Sequence, residues 1–153
     1  MKKVILYLIM ATSILGAQLM DGEYSVKQDE YPHGWASTAG IKVEDGKIIE
    51  VTTDKVNKAG KLVTEDMDYN KNMLAKSGTN PKKYSIELAE NFMKKIEENN
   101  GMKEESLKKD DFNMPKIDIV AGATSSSEKF EKMIKFLVEK AESGEIGEHR
   151  MKL

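Results

Sequence analysis

Between Phe130 and Ala141 the apolar residues Phe130, Met133, Ile134, Leu137, Val138 and Ala141 recur at i, i+3, i+4, i+7, i+8 and i+11. That spacing is one continuous face of an amphipathic helix, and Gly144 follows as its stop. A second helix is predicted from Thr79-Asn80-Pro81, with proline at the first helical position, to Asn99-Asn100-Gly101; Leu88, Ala89, Phe92, Met93 and Ile96 form its buried stripe. A shorter helix follows a Thr64-Glu65-Asp66 cap and runs to about Lys76, closed by Gly78, with Met67, Tyr69, Met73 and Leu74 as its apolar residues.

The period changes toward the start of the chain. Trp35 to Val43 and Lys47 to Thr53 are rich in Thr, Ile, Val and small residues and are separated by Asp45-Gly46, the signature of a tight β-hairpin. Asp21 to Lys27 alternates weakly and reads as one more strand, Lys55 to Leu62 as a connection, and Lys116 to Val120 as a short β-branched strand feeding the last helix. Residues 101 to 115 are charged and unpatterned and read as a solvated loop. The expected fold is α+β, a small antiparallel sheet packed with helices in a single domain over residues 18–153.

Composition narrows the function. Met1-Lys2-Lys3, the apolar run Val4 to Leu15 and Gly16-Ala17 have the three regions of a secretory signal, so residues 1–17 are read as removed and the rest as exported, to a periplasm, the cell envelope or the medium. The apolar run is too short to span a bilayer comfortably, and no stable span is expected once it is gone. Removal of Lys2 and Lys3 moves the formal net charge of the 153-residue chain from -2 to -4, which excludes an electrostatic nucleic-acid binder. There is no cysteine, hence no disulfide, no thiol redox chemistry and no cysteine to carry a lipid. His33 and His149 have no partner at ligand spacing, and no metal pattern is recognised among the acidic runs.

The candidate chemistry lies in Ala121-Gly122-Ala123-Thr124-Ser125-Ser126-Ser127, between the predicted strand and the last helix. Orphan N–H groups and the helix dipole favour a phosphate at such a place, and residues this small let it approach the main chain. Spacing alone leaves a second reading open, because Ser125 and Glu128 also fit a capping box that would need no ligand.

Asp118-Ile119-Val120-Ala121-Gly122-Ala123-Thr124 resembles the attachment motif of the flavin-mononucleotide-binding domain family. That family includes subunits of sodium-pumping quinone reductases and surface flavoproteins of extracellular electron transfer. Asp21-Gly22-Glu23-Tyr24, His33-Gly34-Trp35, Val43 to Ile48, Tyr69-Asn70-Lys71 and Ser77-Gly78 follow the family's order, so the resemblance spans residues 21–142. Ala121 departs from it, standing where Ser or Thr is usual. The resemblance implies an electron carrier rather than a substrate-converting enzyme. Its partners would be a flavin transferase and a membrane electron donor such as a quinone-linked dehydrogenase.

Carried over by position, Thr124 is the expected acceptor of a phosphoester to flavin mononucleotide, Asp118 a recognition residue, and Gly122 and Ala123 the close-approach positions. Ser125 and Ser126 are expected to bond the phosphate or ribityl chain. Trp35, clustered with Tyr31 and His33, and Tyr69 are expected at the ring. A reversible binder of flavin or another phosphorylated ligand, and a surface interaction domain with no cofactor, are the alternatives.

Overall fold

The computed structural model describes residues 19–100 and 123–153. The expected signal, the 101–115 loop and the strand at 116–120 lie outside them, as do Asp118 and Gly122. Strand β1 (Gly22–Gln28) is followed by the hairpin β2 (Ala36–Glu44) and β3 (Lys47–Val56), and then by helices α1 (Met67–Ser77), α2 (Pro81–Asn100) and α3 (Thr124–Ser143) and strand β4 (Gly147–Met151). The fold is α+β. The sheet order is β3-β2-β1-β4.

The hairpin forms where the sequence places it. Asp45 and Gly46 both take positive φ, 52° and 74°, the geometry whose twist matches that of the flanking strands. A Cβ on Gly46 would meet only the Leu19 carbonyl oxygen at 3.7 Å, so the constraint there is conformational and not steric crowding. Gly46→Ala is therefore expected to cost about 1–2 kcal/mol, read as a lower urea midpoint at unchanged slope. An unchanged midpoint would show that the turn tolerates alanine.

Two expectations are corrected. The sheet is mixed, because β4 pairs parallel with β1, Tyr24 opposite Gly147 through Gln28 opposite Met151. The segment Gly147-Glu148-His149-Arg150-Met151 has no β-branched residue, and it is held at the edge through backbone pairing. Strand β3 also continues to Val56, beyond the expected end at Thr53, which brings Lys55 into the ladder opposite Ser37.

Both long helices cover one face of the sheet. Tyr24 and Val26 of β1, Ala39, Ile41 and Val43 of β2, and Ile48 and Val51 of β3 meet Leu88, Phe92 and Ile96 of α2 and the whole predicted stripe of α3 in a single core. Phe92 and Phe130, each fully buried, bridge the two helices edge to face at a centroid distance of 6.1 Å. Helix α1 differs: its apolar residues Met67, Tyr69 and Leu74 are exposed, and what fastens it is a buried polar residue. The Asn70 amide donates to the carbonyls of Val63 (2.7 Å) and Asp66 (2.6 Å) and its oxygen accepts from the Lys82 N–H (3.0 Å), clipping α1 to the start of α2.

Candidate functional site

The direction of α3 fixes where its N-terminus lies. Gly144 closes the helix in a left-handed conformation beside Met20, and β4 then starts next to Tyr24 and runs parallel to β1. Helix α3 therefore runs antiparallel to β1, and Thr124 lies toward the end of the sheet where Gln28, Ser37 and Lys55 stand. That end is polar on the helix-facing side. Gln28 is buried and its side-chain oxygen accepts the Ser37 N–H at 3.2 Å.

Ala123 is the N-cap residue and provides no side-chain cap; helical bonding begins with the Ser127 N–H donating to the Ala123 carbonyl at 2.9 Å. The capping-box reading is thus corrected. Ser125 sits inside the first turn and not at the cap, and the Ser127 hydroxyl bonds back to the Ala123 carbonyl (2.8 Å) instead of serving an orphan N–H. Thr124 and Ser125 are exposed, Ser126 is half-buried, and Ala123 is buried. No side chain among the described residues caps the start of this 20-residue helix, and an accessible hydroxyl stands at its first position.

Trp35 and Tyr69 come together across the molecule, ring centroids 6.0 Å apart and tilted by 53°. The turn Pro32–Gly34 presents Trp35, whose N–H donates to the Pro32 carbonyl, and Asp66 caps α1 through the Tyr69 N–H at 3.0 Å. Burial, with Tyr84 and Asp66 nearby, raises the Tyr69 phenol above its ordinary pKa. Tyr31 lies on an open hollow lined by Asp29, Glu30, Gly34, Asn57 and Lys58.

Three residues complete the neighbourhood. Lys55 projects toward α2, its Nζ 5.8 Å from the centroid of the Tyr84 ring, and burial lowers its pKa. Tyr84 is 3% exposed, and its hydroxyl has no well-formed hydrogen bond among the described residues. Burial is the main cause raising its pKa, with the Ser126 hydroxyl acting in the opposite direction and Asp54 adding to the rise. Lys129, one turn beyond Ser125 and Ser126 on the same face of α3, is lowered by burial and then by Lys55, with Glu30 opposing.

None of the three was expected from the motif, though each leaves a trace in the sequence. Val51, Thr53 and Lys55 alternate onto the helix-facing side of β3. Tyr84 precedes Leu88 by four on the stripe of α2, and Lys129 follows Ser126 by three.

These residue types suit a phosphate ester: cationic groups, a buried hydroxyl with no well-formed hydrogen bond among the described residues, helix-start N–H groups and an exposed threonine. Among the described residues no helix is long and apolar enough to cross a membrane, and no cluster of metal-ligating side chains is present.

The chain is 30% identical over 137 residues to the 15 kDa lipoprotein of Treponema pallidum (strain Nichols), an alignment covering 86% of each chain. It is 31% identical to the CPE2226 protein of Clostridium perfringens. That protein's crystal structure superposes with a TM-score of 0.72, over 88% of this chain and 98% of that one. No protein-family model matches the chain.

Proposed function

The chain belongs to the family of the 15 kDa lipoprotein of Treponema pallidum, and we propose, from the resemblance of its Thr124 segment to a flavin-attachment motif, that it is an exported electron-carrying flavoprotein with flavin mononucleotide joined to Thr124 by a phosphoester bond. The observation that carries this reading is the exposed Thr124 hydroxyl as the first residue of α3, behind an N-cap alanine whose side chain cannot cap the helix-start donors. A transferase can reach that hydroxyl without unfolding the domain. The name of the relative records lipid attachment to that protein and supports a place at the cell envelope for this one. No cysteine-linked lipid can lie within these 153 residues, which have no cysteine.

In the proposed modification the Thr124 oxygen forms a bond to the flavin-side phosphorus of flavin adenine dinucleotide. The pyrophosphate bond breaks, adenosine monophosphate leaves, and the hydroxyl proton is released. Ala123 and the first turn of α3 would hold the phosphate, Ser126 would bond the phosphate or ribityl chain, and Trp35 with Tyr69 would border the ring. When bound, the isoalloxazine supplies one- and two-electron redox chemistry, so no catalytic side chain is required of the protein. A covalent link suits an exported carrier, because a dissociable cofactor would be diluted away outside the cell.

The test is production of the full chain with and without a flavin transferase, followed by denaturation, intact-mass measurement and flavin fluorescence. A flavin-sized mass increase that depends on the transferase is the expected result. Colour that washes out on denaturation would replace this reading with reversible binding, and a colourless protein from a flavin-replete, transferase-positive host would end both.

A further inference from the structure

We propose that the ammonium groups of Lys55 and Lys129, the Tyr84 hydroxyl and the first turn of α3 form a phosphoryl-anion site that exists before any covalent bond is made. It rests on the flavin reading only for its natural ligand, the flavin phosphate. The site itself is built from groups that recognise any phosphoryl anion.

The starting point is the electrostatics of two lysines. Lys55 and Lys129 are both half-buried, burial disfavours the charge of each and Lys55 further disfavours that of Lys129, yet neither has a carboxylate at ion-pair distance among the described residues. The nearest acids are committed or set back. Asp54 accepts from the Thr64 hydroxyl at 2.7 Å and from the Lys55 backbone N–H at 2.7 Å, and Glu30 acts on Lys129 only at a distance. Desolvated like charges without a counterion cost stability, and a multivalent anion between them relieves that cost.

Tyr84 gives an independent indication. A buried hydroxyl with no well-formed hydrogen bond is costly, and among the described residues this one has only the weakly interacting Ser126 in the first turn of α3 beside it, where the helix-start N–H groups and the dipole already favour negative charge. It can donate to a phosphoryl oxygen. Lys55 comes from the end of the sheet, Tyr84 from the start of α2, and Ser126 and Lys129 from α3, so the site is assembled only in the folded domain.

The experiment uses the full chain from a host without flavin transferase and titrates it with inorganic phosphate, and separately with free flavin mononucleotide, at ionic strength matched with sodium chloride. Amide and side-chain shifts of Ser126 and Lys129 by nuclear magnetic resonance report binding at the site. Saturable shifts are expected. The Lys55→Gln/Lys129→Gln double variant is expected to weaken binding of both ligands tenfold or more, and Tyr84→Phe by a few fold.

The double variant is also expected to melt at or above the wild-type temperature in phosphate-free buffer, since it removes two desolvated cations. That result separates a lost site from a lost fold. Equal affinity in the double variant, or no saturable shift with either ligand, would overturn the proposal. Phosphate binding that depends on the lysines, in a protein the transferase never labels, would uphold this site and refute the covalent reading. Labelling at Thr124 without any lysine-dependent binding would do the reverse.

Discussion

Thr124→Ala is expected to abolish the transferase-dependent flavin mass while leaving the fold intact, and Thr124→Ser to keep the modification. The reason is positional. Thr124 is exposed and follows the N-cap residue, so removing its hydroxyl falls among surface changes that alter stability by about 0.5 kcal/mol or less. Serine retains the nucleophilic oxygen at the same first-turn position, and the loss of the β-methyl has no packing consequence at an exposed site. Ser125 is the informative neighbour: it is equally exposed, one residue further along the turn, and about 100° around the helix. If the mass increase persists in Thr124→Ala and maps to Ser125, the attachment point proposed above is wrong although the cofactor is right. Unchanged far-ultraviolet circular dichroism and melting temperature in both variants make the comparison a statement about chemistry and not about folding.

The parts of the fold written in local pattern were legible. The α3 stripe, the proline start of α2 and the Asp45-Gly46 turn each depend on residues within one or two turns of each other, and each element stands where those residues predict it. What was not legible depends on contacts distant in sequence. Strand β4 has a charged composition that no β pattern detects, and it becomes a strand because the exit of α3 lays it beside β1. The capping box at Ser125 and Glu128 had the right spacing, but the helix starts earlier, since Ala123 already supplies the first accepting carbonyl.

The candidate site divides the same way. The chemistry of Thr124, Ser125 and Ser126 could be read from the run itself, and the pairing of Trp35 with Tyr69 was anticipated only as two separate aromatic candidates. Lys55, Tyr84 and Lys129 come from three elements, and their convergence is a property of the sheet end and the two helices over it. Asn70 was equally hidden. A single asparagine on a helix carries no signal of the three backbone bonds that position Tyr69 and the start of α2.

Phe130→Ala is expected to cost about 3–5 kcal/mol, the range for emptying a fully buried aromatic site, and this is a large share of the roughly 5–15 kcal/mol that holds a domain of this size together. Phe130 is fully buried, and its ring meets Phe92 edge to face between α2 and α3. The double variant with Phe92→Ala is expected to lose about 0.5–1.5 kcal/mol less than the two single losses added, because the edge-to-face term is counted in both singles. Urea unfolding with a common slope measures all three. A loss below about 1 kcal/mol for Phe130→Ala would mean that the core closes around the gap without the ring. The consequence reaches the site. Tyr84 lies two turns before Phe92 on α2, and Lys129 directly precedes Phe130 on α3, so this ring pair packs together the two helices that carry the hydroxyl and the ammonium group proposed to share a phosphate. Phe130→Leu, which keeps an apolar side chain but not the edge-to-face contact, is therefore expected to weaken phosphate binding in a domain that remains folded.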